Sequence, residues 1–235
     1  MKTKLLAVTA AAFLLTGSAV ALAQDTGVAE IVVTGSRLQD YVPTETPAIV
    51  LKKRADNIIT SIEVVCDTRD PVQRRAELTA TLKALVGRAA EAGIELAVED
   101  DDVVRKFNPT DFDGIIRTAS KADTSTATLT LKTRVLPTDT FDSVTGRVEA
   151  FVKKTPKSGR TEILMSDDWD LTLVGPGQYR SDIISLVAAD ANKTAAAFGA
   201  GYSANIEGLT LPVTWYQSGP LELALYIPYQ QTIKR

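Results

Sequence analysis

The sequence predicts an α+β domain in which about three helices pack against a mixed, mainly antiparallel sheet. Three observations support this class. Helix-like and strand-like segments interleave along the chain, one strand–helix–strand unit has clear boundary signals, and two alternating segments joined by a turn end the chain. We assign the domain to residues 24–235 and expect its helices to cover one face of the sheet.

The first strand–helix–strand unit has the strongest local signals in the chain. Asp70 can cap a helix, Pro71 suits the first helical position, and Gln73 can bond back to the cap. Gly93 is expected to end this helix. Its buried stripe should consist of Leu78, Leu82, Leu85 and Ala89. Strands are expected around it at residues 30–37, 48–52, 57–66 and 94–98.

A second unit with the same order of elements covers residues 125–174. A Thr-rich strand at residues 125–136 precedes a helix that begins at Thr138 or Asp139 and ends at Gly159, and residues 161–174 are strand-like. The buried stripe of this helix should be Phe141, Val144, Val148 and Phe151. Corresponding positions of the two units lie 69 residues apart, as an internal strand–helix–strand duplication would place them.

A third helix and a hairpin complete the predicted fold. The helix should cover residues 178–198, with one stripe formed by Tyr179, Ile183, Val187, Ala191, Thr194 and Phe198. Alternating residues predict strands at 209–216 and 221–227, joined by a turn at 217–220. Pro212 and Pro228 indicate that this C-terminal hairpin lies at a sheet edge or carries a bulge.

Four aromatic residues of the C-terminal segment are the candidate interface: Trp215, Tyr216, Tyr226 and Tyr229. Alternation places Trp215 on the same face as the leucines and Tyr216 on the other face, so the four cannot share one core. They either pack within the chain or contact a second subunit or another envelope protein. If they form an interface, we expect Tyr216 and Tyr226 to make the contacts.

The N-terminal residues predict export. Lys2 and Lys4 precede an apolar stretch from Leu5 to Leu15, and residues 21–23 provide small residues for signal peptidase. We expect cleavage after Ala23 and a periplasmic location. The mature chain should contain no membrane span, because no later segment is long and apolar enough. Cleavage lowers the formal net charge from −3 to −5, which disfavours binding to nucleic acid.

The composition excludes most common catalytic sites. The chain has no histidine, which removes Ser-His-Asp catalysis and His-ligated zinc. Its single cysteine, Cys66, cannot form an intrachain disulfide or a thiolate zinc site, and is either a buried apolar residue or a reactive thiol. Gly175-Pro176-Gly177 is a turn or an anion cradle, and it lacks the lysine of a P-loop. We therefore expect no cofactor and no enzymatic activity.

Acidic segments provide the alternative to a binding function. They lie at residues 99–102, 111–113 and 167–170. None has the spacing of a complete EF-hand, so we expect solvated loops, although the segment at Asp111 resembles a fragment of a calcium loop. Two carboxylates that met across a cleft could act as acid and base in a hydrolase.

The order of elements resembles that of SIMPL-domain proteins. The similarity is carried by "IVVTG" at 31–35, "EAGIEL" at 91–96, "DDWDLTLVG" at 167–175 and the helix "SDIISLVAADANKTAAAFG" at 181–199, followed by a terminal strand pair. Members include periplasmic and outer-membrane-associated bacterial proteins, and some assemble into large rings. The resemblance therefore implies an exported, non-enzymatic binding or assembly protein that self-associates, with no catalytic motif to transfer.

A second resemblance is confined to residues 30–37. "EIVVTGSR" is similar to the beginning of the plug domain in TonB-dependent receptors, which would imply a small receptor accessory. Such receptors also contain a large β-barrel, and this chain is too short to supply one beside a plug. We therefore expect the SIMPL-type function rather than that of a receptor.

Overall fold

The computed structural model describes residues 30–33, 48–100 and 103–235. The predicted signal peptide and its cleavage site lie outside these residues. The helices are α1 (Pro71–Ala89), α2 (Phe141–Lys154) and α3 (Arg180–Ala197), with a 3-10 turn at Pro176–Tyr179. The strands are β1 (Glu30–Val33), β2 (Leu51–Arg54), β3 (Asn57–Cys66), β4 (Ile94–Asp100), β5 (Val103–Lys106), β6 (Ile116–Thr118), β7 (Ser125–Arg134), β8 (Thr161–Met165), β9 (Asp170–Val174), β10 (Ser203–Glu207), β11 (Thr214–Gly219), β12 (Glu222–Tyr226) and β13 (Gln230–Lys234).

The main sheet confirms the α+β class. Its strands follow the order β1-β9-β3-β7-β4-β5, with β8 beside β3 and β6 beside β7. The two central strands pair along their whole length, from Asn57 opposite Arg134 to Cys66 opposite Ser125. All pairings among the described strands are antiparallel, so the sheet is not mixed in direction.

The two predicted strand–helix–strand units interleave in this sheet. β7 lies between β3 and β4, and β3 lies between β7 and β8, which is the split β-α-β arrangement of ferredoxin-like domains. The units occupy equivalent positions, and Leu82 and Phe151, which the predicted offset relates, are both buried. Val72 and Phe141 differ, because Val72 is 77% exposed and Phe141 packs on the core. Descent of the two units from one duplicated segment stays a prediction.

Helix α1 has the predicted N-terminus and buried face. The Asp70 carboxylate accepts a hydrogen bond from Gln73 N at 2.7 Å, and Pro71 is the first helical residue. The Gln73 side chain does not bond to the cap residue, because its amide donates to Glu77 instead. The stripe of Leu78, Leu82, Leu85 and Ala89 is buried against β3, β4 and β7.

The Glu77 carboxylate fastens α1 to two neighbouring segments. It accepts hydrogen bonds from Thr68 Oγ1 at 2.6 Å, from Arg160 N at 3.1 Å and from Gln73 Nε2 at 2.8 Å. These bonds favour the charged form and lower the pKa of Glu77 from 4.5 to about 2. Gly159 has a φ of +56°, and a Cβ at this position would lie 2.1 Å from the carboxylate carbon of Glu77. Glycine is favoured there, because the backbone is left-handed and a Cβ would displace the Glu77 carboxylate.

A second hydrophobic cluster lies beneath α3. Ile183, Val187 and Ala191 are buried as predicted, and Ala195 continues the stripe. Phe198 was predicted to end this stripe, but it is 60% exposed and lies just after the last helical residue, Ala197. The three-stranded sheet β11-β12-β2 completes the cluster with Leu223 and Leu225.

The C-terminal hairpin is present with a shifted start. β11 begins at Thr214, not at Leu209, and pairs with β12. The carbonyl oxygens of Leu209 and Leu211 accept hydrogen bonds from the Arg180 guanidinium, and Pro212 has no N–H for a ladder. β12 also pairs with β2, so the hairpin is part of a three-stranded sheet.

Several other boundaries differ from those predicted. α2 begins after its cap residue Thr140 and ends at Lys154, well before Gly159. The predicted strand at 161–174 is interrupted, because residues 166–169 form a loop between β8 and β9. The pair β10–β13 and the short strands β5 and β6 were not predicted. No helix among the described residues has the length and apolarity needed to cross a membrane.

Candidate functional site

Three separated segments, together with Arg54 of β2, line a cavity of about 830 Å³, which we call the acidic cleft. The first turn of α2 forms one wall, the loop between β8 and β9 forms the second, and the turn of the C-terminal hairpin forms the third. Its lining residues are Arg54, Asp139, Thr140, Phe141, Asp142, Asp167, Asp168, Trp169, Gln217, Gly219, Pro220, Leu221 and Glu222. Five of these are acidic and one is basic, so the cleft carries a negative charge.

An aromatic pair provides an apolar wall of the cleft. The rings of Phe141 and Trp169 meet edge to face, with centroids 6.4 Å apart and an interplanar angle of 79°. Trp169 packs against both hydrophobic clusters, which limits its movement. The loop before it is held by the hydrogen bond from Ser166 N to Ser61 O at 2.9 Å. The wall is therefore built on the core and not on a free loop.

Two of the acidic side chains are already paired within the chain. Asp139 accepts hydrogen bonds from the Arg147 guanidinium at 2.5 and 2.9 Å, and this contact holds the pKa of Asp139 well below its usual range. Glu222 lies 3.1 Å from Lys52 Nζ, and this hydrogen-bonded pair also lowers the pKa of the Glu222 carboxyl. Both carboxyls are therefore ionised at neutral pH.

The remaining three carboxylates have no cationic partner among the described residues. Asp142, Asp167 and Asp168 are exposed, and only Asp168 accepts a side-chain hydrogen bond, from Ser166 Oγ at 3.4 Å. Asp142 lies in the first turn of α2, where the helix dipole favours a negative charge. These carboxylates are available to a positively charged ligand at the opening of the cleft.

Two carboxyls of the cleft are unsuited to act as a general acid. A general acid at neutral pH needs a carboxyl whose pKa is raised, whereas the pKa values of Asp139 and Glu222 are lowered. The cleft does bring acidic side chains together, which is the arrangement that the hydrolase alternative requires. These two residues cannot supply its proton donor.

The four predicted interface residues do not line the cleft. Trp215 and Tyr229 are half-buried against the second hydrophobic cluster. Tyr216 and Tyr226 form an aromatic pair, 6.1 Å between centroids, on the opposite face. Tyr226 is only 8% exposed, so little of its side chain is available for the predicted contact. The structure leaves Tyr216 as the more accessible of these two.

The other sequence candidates have structural partners. Asp111 accepts a hydrogen bond from Gly114 N, and Asp113 contacts Arg75 at 2.5 Å. Cys66 is completely buried, and its thiol lies 3.4 Å from Glu77 Oε2. Within the described part of the chain, no three acidic or cysteine side chains are grouped to hold a metal ion. The side chains of the segment at 99–102 lie outside the described residues.

The acidic segment at 167–170 is evident in the sequence, but the cleft is not. Phe141 was assigned to the buried stripe of α2, and Trp169 was not singled out. The only local signal was an aromatic residue directly after two aspartates. The sequence matches no protein-family model, and no curated protein is significantly similar to it.

Proposed function

We propose that this chain is an exported, non-enzymatic binding protein of the bacterial cell envelope, and that it binds its ligand in the acidic cleft. One observation carries the proposal: three unpaired carboxylates stand beside a fixed aromatic pair at the opening of a cavity of about 830 Å³. A SIMPL-type domain is part of this proposal, and it is supported by the order of elements and by the segments quoted above.

The acidic and aromatic residues that line the cleft favour a cationic ligand with an apolar part. Guanidinium and ammonium groups can pair with the carboxylates and also contact the face of a tryptophan. Each exposed ion pair contributes only about 0.2–1 kcal/mol, so several contacts must act together. An arginine-rich or lysine-rich peptide segment has the required chemistry.

The binding proposal can be tested by fluorescence. In a Trp215→Phe background, Trp169 is the only tryptophan, and titration with tetra-arginine should change its emission in a saturable, salt-sensitive way. Asp167→Asn/Asp168→Asn should weaken this response, whereas Glu149→Gln/Glu162→Gln, which removes two exposed charges elsewhere, should not. A response that is absent, or that tetra-glutamate reproduces, would contradict the proposal.

The export proposal has a separate test. Mass spectrometry of protein from the periplasmic fraction of an expressing bacterium should find an N-terminus near Gln24. Cytosolic protein that retains Met1 would show that the predicted signal is not used, and it would remove the envelope location from the proposal.

A further inference from the structure

Two exposed aromatic rings lie at the far end of α3. Phe198 is 60% exposed and Tyr202 is 38% exposed, and their centroids are 6.0 Å apart. Gly199 and Gly201, with φ values of +106° and +91°, turn the chain between them. Large apolar side chains that protrude together in this way commonly mark a contact surface.

Basic residues stand next to these rings. Lys234 is the β13 partner of Ser203, which directly follows Tyr202, and Arg235 comes next in the chain. Both are exposed, and neither forms an ion pair with another described residue. We call Phe198, Tyr202, Lys234 and Arg235 the aromatic tip. It combines exposed apolar and basic side chains on a chain whose net charge is negative.

We propose that the aromatic tip of one copy of the chain binds in the acidic cleft of a second copy. The inference rests on the proposed function of the cleft and names its occupant. The two surfaces complement each other in charge, because Lys234 and Arg235 would meet the unpaired Asp142, Asp167 and Asp168. They also match in chemistry, because Phe198 and Tyr202 would pack on the Phe141–Trp169 pair.

This contact joins different residues on the two copies. The cleft and the tip share no residue, so the interface is heterologous and each copy can bind one neighbour at each surface. Repetition of the contact gives a closed ring if the rotation between copies closes, and an open chain if it does not. Self-association should therefore depend on protein concentration and weaken with added salt.

A charge exchange tests the contact directly by size-exclusion chromatography with light scattering. Asp167→Lys/Asp168→Lys and Lys234→Glu/Arg235→Glu should each weaken self-association by at least about tenfold, because like charges then face each other. A mixture of the two variants should associate again, since each cleft then meets a tip of opposite charge. Failure of the mixture to associate would overturn the proposal.

Separate variants test the contribution of the apolar side chains to the contact. Phe198→Ser/Tyr202→Ser should also reduce self-association, whereas Leu186→Ser, at another exposed apolar position on α3, should not. Equal effects of the two would contradict a specific tip. Tip-dependent sedimentation with phosphatidylglycerol vesicles by a monomeric wild type would reassign the tip to a membrane surface. A wild type that is monomeric at all concentrations overturns this inference, while its response to tetra-arginine still tests the cleft separately.

Discussion

Replacement of Leu82 by alanine tests the placement of α1 and, through it, the core of the main sheet. The Leu82 side chain is completely buried in the middle of the stripe, among Leu78, Leu85 and strands β3 and β7. Its removal loses the transfer free energy of the buried methyl groups and leaves a cavity that the surrounding strands can only partly fill. The free energy of unfolding should fall by about 2–5 kcal/mol.

Urea denaturation followed by circular dichroism measures this loss. With a slope of roughly 2 kcal/mol per molar urea, the midpoint should decrease by about 1–2.5 M. Val72→Ala is the matched control on the same helix, because Val72 is 77% exposed and its replacement should change stability by less than about 0.5 kcal/mol. Equal midpoints for Leu82→Ala and the wild type would show that the buried face of α1 has been misplaced.

Three further predictions concern the contacts of individual side chains. The folded-state pKa of Glu77 lies below its ordinary value, so the ionised carboxylate stabilises the fold. This contribution should be present above about pH 4.5 and be lost as the pH falls toward 2. Glu77→Gln should flatten this part of a stability–pH profile. Gly159→Ala should lower the free energy of unfolding by at least about 1 kcal/mol, because alanine is strained at a positive φ. Gly87→Ala is the control: Gly87 lies inside α1 with open space around it, so alanine there should raise the free energy of unfolding by about 0.5–1 kcal/mol. Arg147→Met should raise the pKa of Asp139 in an NMR titration, and an unchanged value would show that another group holds this carboxylate ionised.

The parts of the fold that the sequence predicted well are those with local causes. The cap at Asp70, the proline after it and the leucine stripe act within a few turns of one helix, so the start and the buried face of α1 were predicted correctly, whereas the helix ends at Ala89, before the predicted stop at Gly93. The start of the hairpin was misplaced because it depends on a tertiary contact. Arg180, far from it in the sequence, binds the carbonyl groups of Leu209 and Leu211 and holds them out of the sheet. Alternation alone carries no information about such a contact.

The acidic cleft could not be predicted for the same physical reason. Its walls come from the start of α2, the loop before β9 and the turn of the hairpin, and no spacing in the sequence relates these segments. The loop that interrupts the predicted strand at 161–174 creates the second wall of the cleft. It places Trp169 against Phe141 and leaves Asp167 and Asp168 exposed. A continuous strand would have placed these residues on alternating faces.

The pairing of β2 with β12 has a consequence for when the protein can finish folding. Leu51 lies opposite Leu225, so β2, an early strand, can pair only after β12 near the end of the chain is available. In a chain that emerges N-terminus first from a ribosome or a translocation channel, the second hydrophobic cluster cannot close until almost all residues have emerged. The third wall of the acidic cleft forms in the same step, so the cleft is incomplete in a chain that has not fully emerged.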